Sequence, residues 1–253
     1  MPAVFVHGNP ETPVIWDSLF AHLDRTEVIA LHLPGFGRPT PDGFGATKEE
    51  YVDWLVGALR TVQAASGPSD PIDLVGHDWG GGFVMRAVAT HPELVRSWAC
   101  DVLGLFHPDY VWHDFAQIWQ TPGAGEQYFE QNRAIPMADR VALYETLGIP
   151  RAVGEVMADA ADDEMARCVL ALYRSAIQPA MAEWGAELEP VTTRPGLAII
   201  AGNDPFVSGD DLGRQVAQRL GARVHDLPDQ GHWWMLGDPA AGAAMLTAFW
   251  ATL

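Results

Sequence analysis

The chain has 253 residues, 48% of them hydrophobic and 19% charged, which is enough apolar material for a buried core and unlike a disordered chain. A formal charge of −18, from 33 acidic and 15 basic residues, repels phosphate backbones and anionic membranes, so neither nucleic acid nor membrane is an expected partner. Cys100 and Cys168 supply neither a disulfide framework nor a metal-ligand set, so no metal is expected. The N-terminus has no basic segment before its short apolar run, and no stretch is long enough to span a bilayer; the expected compartment is cytoplasmic.

In chain order, AVFV (3–6) reads as a buried strand ending in His7-Gly8-Asn9-Pro10. Trp16, Leu19, Phe20 and Leu23 mark a helix face, and EVIALHL (27–33) a second strand closed by Pro34-Gly35-Phe36-Gly37. Thr47 and Glu50 form a capping box before a helix striped by Tyr51, Leu55 and Leu59. IDLV (72–75) is a third strand running into VGHDWGG, with a helix from Gly80 to Thr90, and SWACDVL (97–103) is a fourth. Strand patterns then stop from about 104 to 188, where aromatics and Met recur at helical spacing. They resume with GLAIIAG (196–202), a helix near 210–220, RVHDL (223–227) and a last helix from about 239. Alternating strands and helices with near-continuous apolar strands predict a parallel sheet covered on both faces, with ligands beyond the strands' carboxyl ends.

HGNP (7–10), LPGFG (33–37), GHDWGG (76–81), AGNDPF (201–206) and DQGHWW (229–234) together resemble the α/β-hydrolase superfamily, in its epoxide hydrolase and haloalkane dehalogenase branch. The resemblance covers nearly the whole chain and includes QTPGAGEQYFEQN (120–132), which is similar to a segment of epoxide hydrolase caps. It implies an α/β-hydrolase fold with a core over 1–103 and 189–253 and a helical cap over 104–188. Because two strands usual before the HGxP turn have no counterpart here, a reduced parallel sheet of about six strands is expected. No cofactor is implied, and the partners implied are a small apolar substrate and water, with the oligomeric state left open.

Asp78 stands where a G-x-S-x-G elbow carries serine. Such an elbow exposes its central side chain at a helix N-terminus, which favours an ionised carboxylate. A serine that attacked a saturated carbon would become an ether that water cannot open. An aspartate becomes an ester, and water attacking its carbonyl frees the product. For Asp78 taken alone, a helix N-cap is the competing reading.

The base for that second step is His232, the acid Asp204, and Asp101 at the end of the fourth strand is the alternative acid. Backbone N–H groups of Asn9 and Trp79 are the expected oxyanion donors. Their side chains match the pair that holds a halide in dehalogenases resembling this chain. Epoxide hydrolases instead use cap tyrosines: Tyr173 matches one, Phe115 stands at the other, and Tyr128 and Tyr110 are substitutes. Dehalogenation is the favoured reading, epoxide opening the alternative, and a non-catalytic ligand-binding homologue a remote one. Phe115, Trp119, Tyr173 and Trp233 are expected against an apolar substrate.

Overall fold

The computed structural model describes residues 1–67 and 71–253. The chain runs β1 (Ala3–Val6), a turn of 3-10 helix (Pro13–Trp16), α1 (Asp17–Phe20), β2 (Val28–Leu31), α2 (Lys48–Ser66), β3 (Ile72–Gly76), α3 (Trp79–Thr90) and β4 (Val95–Cys100). Between β4 and β5 (Gly196–Ala201) come α4 (Asp114–Gln120), α5 (Ala124–Ala134), α6 (Met137–Thr146), α7 (Arg151–Ala160), α8 (Asp163–Ser175) and α9 (Ala180–Ala186). Then follow α10 (Asp210–Arg219), β6 (Arg223–Leu227), α11 (Trp234–Gly237) and α12 (Pro239–Trp250).

The strands form one parallel sheet of six, in the order β2-β1-β3-β4-β5-β6, as the alternating pattern predicts. The alternation of side chains along each strand splits the core in two. Val4, Val6, Leu74, Trp98 and Cys100 pack on one face with α2 and α3, while Ala3, Phe5, Val75, Ala99 and Ile199 pack on the other with Trp16 and α12. With both faces covered, β1 and β5 read as unbroken apolar runs, whereas the edge strand β6 is polar and exposed up to Leu227.

The sheet order also places the chemistry. β1 and β3 are direct neighbours, with Val6 opposite Gly76, and β1 feeds β2 on its other side. The turns leaving β1 and β3 therefore open side by side at a topological switch point, where open α/β sheets bind ligands. Helix α8 ties the helical stretch to the core: Cys168, Val169, Leu172 and Tyr173 join the core, and Ser175 Oγ accepts the first amide of α2 at 2.9 Å.

Two elements differ from their sequence reading. The helix marked by Trp16 to Leu23 ends at Phe20, because the chain must turn to enter β2 at Val28. The fourth strand stops at Cys100 and does not reach 103, since Val102 adopts a left-handed φ of 54° and Asp101 turns inward to a buried partner.

Candidate active site

The elbow after β3 is built by close backbone contacts. A Cβ on Gly80 would lie 2.2 Å from the Val6 carbonyl oxygen, and one on Gly76 would lie 2.6 Å from the Gly81 Cα, so neither position admits a side chain. Asp78 itself is held at φ 52°, a conformation that L-residues avoid, at the N-cap position of α3. Its side chain makes no capping bond, so the N-cap reading does not describe it. Instead Oδ1 accepts the Asn9 backbone N–H at 2.8 Å. Burial pushes the Asp78 carboxyl up to about 6, and the Glu11 charge adds to the rise against the opposing pull of His232 and His77. The helix terminus that the elbow reading invoked is thus outweighed by desolvation, although the group is still mainly ionised at neutral pH.

His232 follows β6 and faces this carboxylate with Nε2 4.0 Å from Asp78 Oδ2. Its Nδ1 donates to Asp204 Oδ2 at 2.7 Å, and Asp204 Oδ1 accepts the Phe206 N–H at 2.8 Å. That donation leaves the Nε2 lone pair pointing at Asp78. Burial opposes charge on both groups, but their mutual attraction holds Asp204 below its ordinary range and raises His232 above its own. Asp101 lies elsewhere: its carboxylate contacts His77, not His232.

Neither Glu11 nor His77 is among the site residues named from the sequence. His77 is fully buried between two carboxylates, donating from Nδ1 to Asp101 Oδ2 at 2.5 Å and from Nε2 to Glu11 Oε1 at 3.0 Å. Burial disfavours its charge, yet the two carboxylates raise its pKa well above the ordinary value, and in return His77 holds Glu11 down to about 2. This buried ion triad fastens the loops of the site. Glu11 Oε2 accepts the Gly8 N–H at 2.8 Å and Asp101 Oδ1 the Asp78 N–H at 2.8 Å. The indoles of Trp233 and Trp234, beside His232, donate to Glu11 and Asp101 at 2.5 and 2.7 Å. Ligand atoms of Glu11, His77 and His232 also lie within 4.8 Å of one another. Both His77 nitrogens carry protons and His232 Nδ1 is taken by Asp204, so this cluster offers an ion pair and not a metal seat.

Asp78 and His232 open into a cavity of about 210 Å³, whose wall includes Asn9, Phe115, Trp119, Tyr173 and Trp233. Trp79 borders a smaller adjoining cavity with Tyr110, Trp112 and Tyr173. The Asn9 side-chain Nδ2 donates to the Tyr173 hydroxyl at 3.4 Å, and the Trp79 ring meets Tyr173 edge-to-face at 5.4 Å. Burial raises the Tyr173 phenol well above its ordinary pKa, and hydrogen bonding from Trp79 and Asn9 works against that rise. Of the substitute tyrosines, Tyr128 lines the main cavity, whereas the Tyr110 hydroxyl is spent on the Phe206 carbonyl at 3.3 Å. His113 was also missed. Its Nδ1 accepts the Ala116 N–H as the cap of α4, leaving the proton on Nε2, and burial lowers it to about 4, so a neutral donor joins the wall. A lone histidine before a short helix carries no periodicity that would have found it.

Among curated proteins, the haloalkane dehalogenase of Mesorhizobium japonicum is 27% identical over 172 residues, 64% of this chain and 50% of that one. Epoxide hydrolase 4 of Mus musculus is 27% identical over 124 residues, 47% of this chain and 33% of that one. The matches to the first curated relatives span 36%, 34% and 50% of those proteins. Solved structures align over nearly the whole chain. The haloalkane dehalogenase DbeA from Bradyrhizobium elkani has a TM-score of 0.74 at 20% identity, covering 100% of this chain and 91% of its own. The Cif epoxide hydrolase from Acinetobacter nosocomialis has a TM-score of 0.75 at 17% identity, covering 98% and 82%. At these identities the likeness shows the fold: an α/β-hydrolase fold with six parallel strands. A family model described as the alpha/beta hydrolase family matches residues 3–245, and the chain belongs to that family.

Proposed function

We propose that the protein is a hydrolase acting at an sp³ carbon of a small apolar substrate through an ester on Asp78, with a carbon–halogen bond as the bond broken. The observation that carries this reading is the arrangement around one carboxylate. Asp78 lines the cavity, with Oδ1 resting on the Asn9 N–H and Oδ2 facing the His232 imidazole. Oδ2 attacks the carbon, and the leaving group departs with the bonding pair. His232 Nε2 then takes a proton from water as its oxygen attacks Cγ of the ester. The oxyanion develops on Oδ1, where the Asn9 N–H already lies, with the Trp79 N–H as the proposed second donor. Collapse expels the alcohol and restores the carboxylate. Asp204 holds the tautomer and balances the imidazolium. The helices between β4 and β5 serve as the cap that keeps bulk water from the ester.

A halide leaves without a proton, so the Asn9 amide and Trp79 indole would suffice to hold it. Dehalogenases from Mesorhizobium japonicum, Agrobacterium fabrum and Mycolicibacterium smegmatis among the relatives support this choice. One contact favours epoxide opening as the second reading. The Tyr173 oxygen accepts from Asn9, so its own proton is free to be donated to a ring oxygen.

Intact mass spectrometry of His232→Ala after incubation with haloalkanes and with epoxides tests both. An adduct of the alkyl group on Asp78 supports dehalogenation, and an adduct of the whole epoxide supports the second reading. No adduct from either class would overturn the ester mechanism and favour a non-catalytic pocket.

A further inference from the structure

The wall of the main cavity is largely apolar, and apart from Asp162 its charged side chains gather at two places. One is the cluster around Asp78 and His232; the other is on α5 and α6, where Asn132, Arg133 and Arg140 reach the same cavity. Arg133 is paired with Asp163. Arg140 forms no ion pair among the described residues: one guanidinium nitrogen donates to the Ala158 carbonyl at 3.1 Å, and its buried Nε has no partner. The carboxylate that shares this wall, Asp162, uses Oδ1 to cap α8 through the Met165 N–H at 2.8 Å. An unpaired cation is a conspicuous choice for an apolar cavity in a chain with a net charge of −18. A guanidinium with N–H donors left unsatisfied is the group best suited to take a carboxylate.

Its position suits an amphiphile. Leu143, one turn further along α6, and Leu147, just past its end, line the cavity yet are 56% and 42% exposed, so Arg140 sits towards the mouth. Inward from there the wall is a chain of rings. Tyr128 and Phe129 pack on Trp119, Trp119 packs on Tyr173 at 4.8 Å, and Tyr173 meets Asn9 beside the carboxylate of Asp78. Tyr144, one turn from Arg140 on the same helix, adds a hydroxyl to the wall near the cation.

We infer that Arg140 is an anion subsite at the cavity mouth and that the substrate, apolar along its reacting stem, ends in one charged group: it is an aliphatic carboxylate whose electrophilic carbon lies at the end of the chain remote from the acid. The carboxylate stays at the mouth against Arg140, the aliphatic stem lies along the aromatic wall, and the reacting carbon meets Asp78 Oδ2. The naming of a substrate rests on Asp78 being the nucleophile; the anion subsite itself does not.

Binding therefore provides the test, with turnover as a second arm. Straight-chain alkanoates and their matched primary amides are titrated calorimetrically into wild type, Arg140→Gln and Arg140→Lys. Wild type should prefer acid to amide by roughly ten- to a hundred-fold, the range expected of a charge-assisted hydrogen-bonded contact. Arg140→Gln should lose that preference while keeping its amide affinity and thermal midpoint, and Arg140→Lys should recover part of it. Equal binding of acid and amide by wild type, or a preference unchanged in Arg140→Gln, overturns the subsite. With ω-bromo carboxylates and their methyl esters, Arg140→Gln should raise KM for the acid alone. Failure of the acids to alkylate Asp78 while simple haloalkanes do so would overturn the substrate class and leave the ester mechanism standing. Failure of every compound to form an adduct would overturn the mechanism without touching the binding result.

Discussion

Asp78→Asn should abolish turnover and at the same time stabilise the fold at neutral pH. Burial raises the Asp78 carboxyl from an ordinary value of 3.8 to about 6, so its ionised form is less favourable in the folded than in the unfolded chain. A carboxyl raised in this way costs stability above its folded pKa and nothing once both states are protonated, below its unfolded pKa. The shift from 3.8 to about 6 corresponds to roughly 3 kcal/mol at pH 7.5, falling to about 1 kcal/mol at pH 4.5. The side chain is only 15% exposed, so solvent screening trims this little. An amide in place of the carboxylate keeps an oxygen for the Asn9 N–H and removes the charge. Urea denaturation of wild type and variant at both pH values measures the difference. The variant should be more stable by roughly 3 kcal/mol at pH 7.5 and by much less at pH 4.5. A variant no more stable than wild type at pH 7.5, or a gain independent of pH, would refute the claim that desolvation dominates this carboxylate.

Gly8→Ala should slow ester formation about a hundred-fold while leaving the chain folded, because the new Cβ would stand 2.3 Å from Asp78 Oδ1 and displace the carboxylate by roughly 1 Å. Rapid-quench mass spectrometry of the adduct, with circular dichroism for the fold, checks this; an unchanged rate would show that the loop yields instead. Asp204→Asn and Asp101→Asn should part company. The first should cut ester hydrolysis by about 10³- to 10⁴-fold in single-turnover kinetics with the fold intact, since it costs His232 its tautomer. The second should lower unfolding free energy on the order of 3 kcal/mol, since it leaves His77 half-paired in the core. The reverse pattern would make Asp101 the acid.

Much of the fold was legible because it depends on short-range pattern. The apolar runs of β1 and β5 are continuous since both faces are buried, and the Thr47–Glu50 capping box forms as its spacing predicts, with Glu50 Oε2 accepting the Thr47 N–H at 3.0 Å. Strand ends were less legible, as at Val102, where a tertiary pull on Asp101 overrides local preference.

The sequence by itself determined the order of the elements, the elbow at Asp78 and the short set of carboxylates and histidines from which a site could be drawn. The resemblance set Asp204 with His232 and kept Asp101 as the alternative, but residue pattern alone could neither separate the two acids nor join Glu11 to His77, because these partners lie 28 and 66 residues apart and no periodicity links them. Nor could it place Arg140 in the same cavity as Asp78. Those decisions belong to the tertiary structure. The parallel sheet sets the turns after β1 and β3 side by side, and burial then determines which charges must pair and which remain free to meet a substrate.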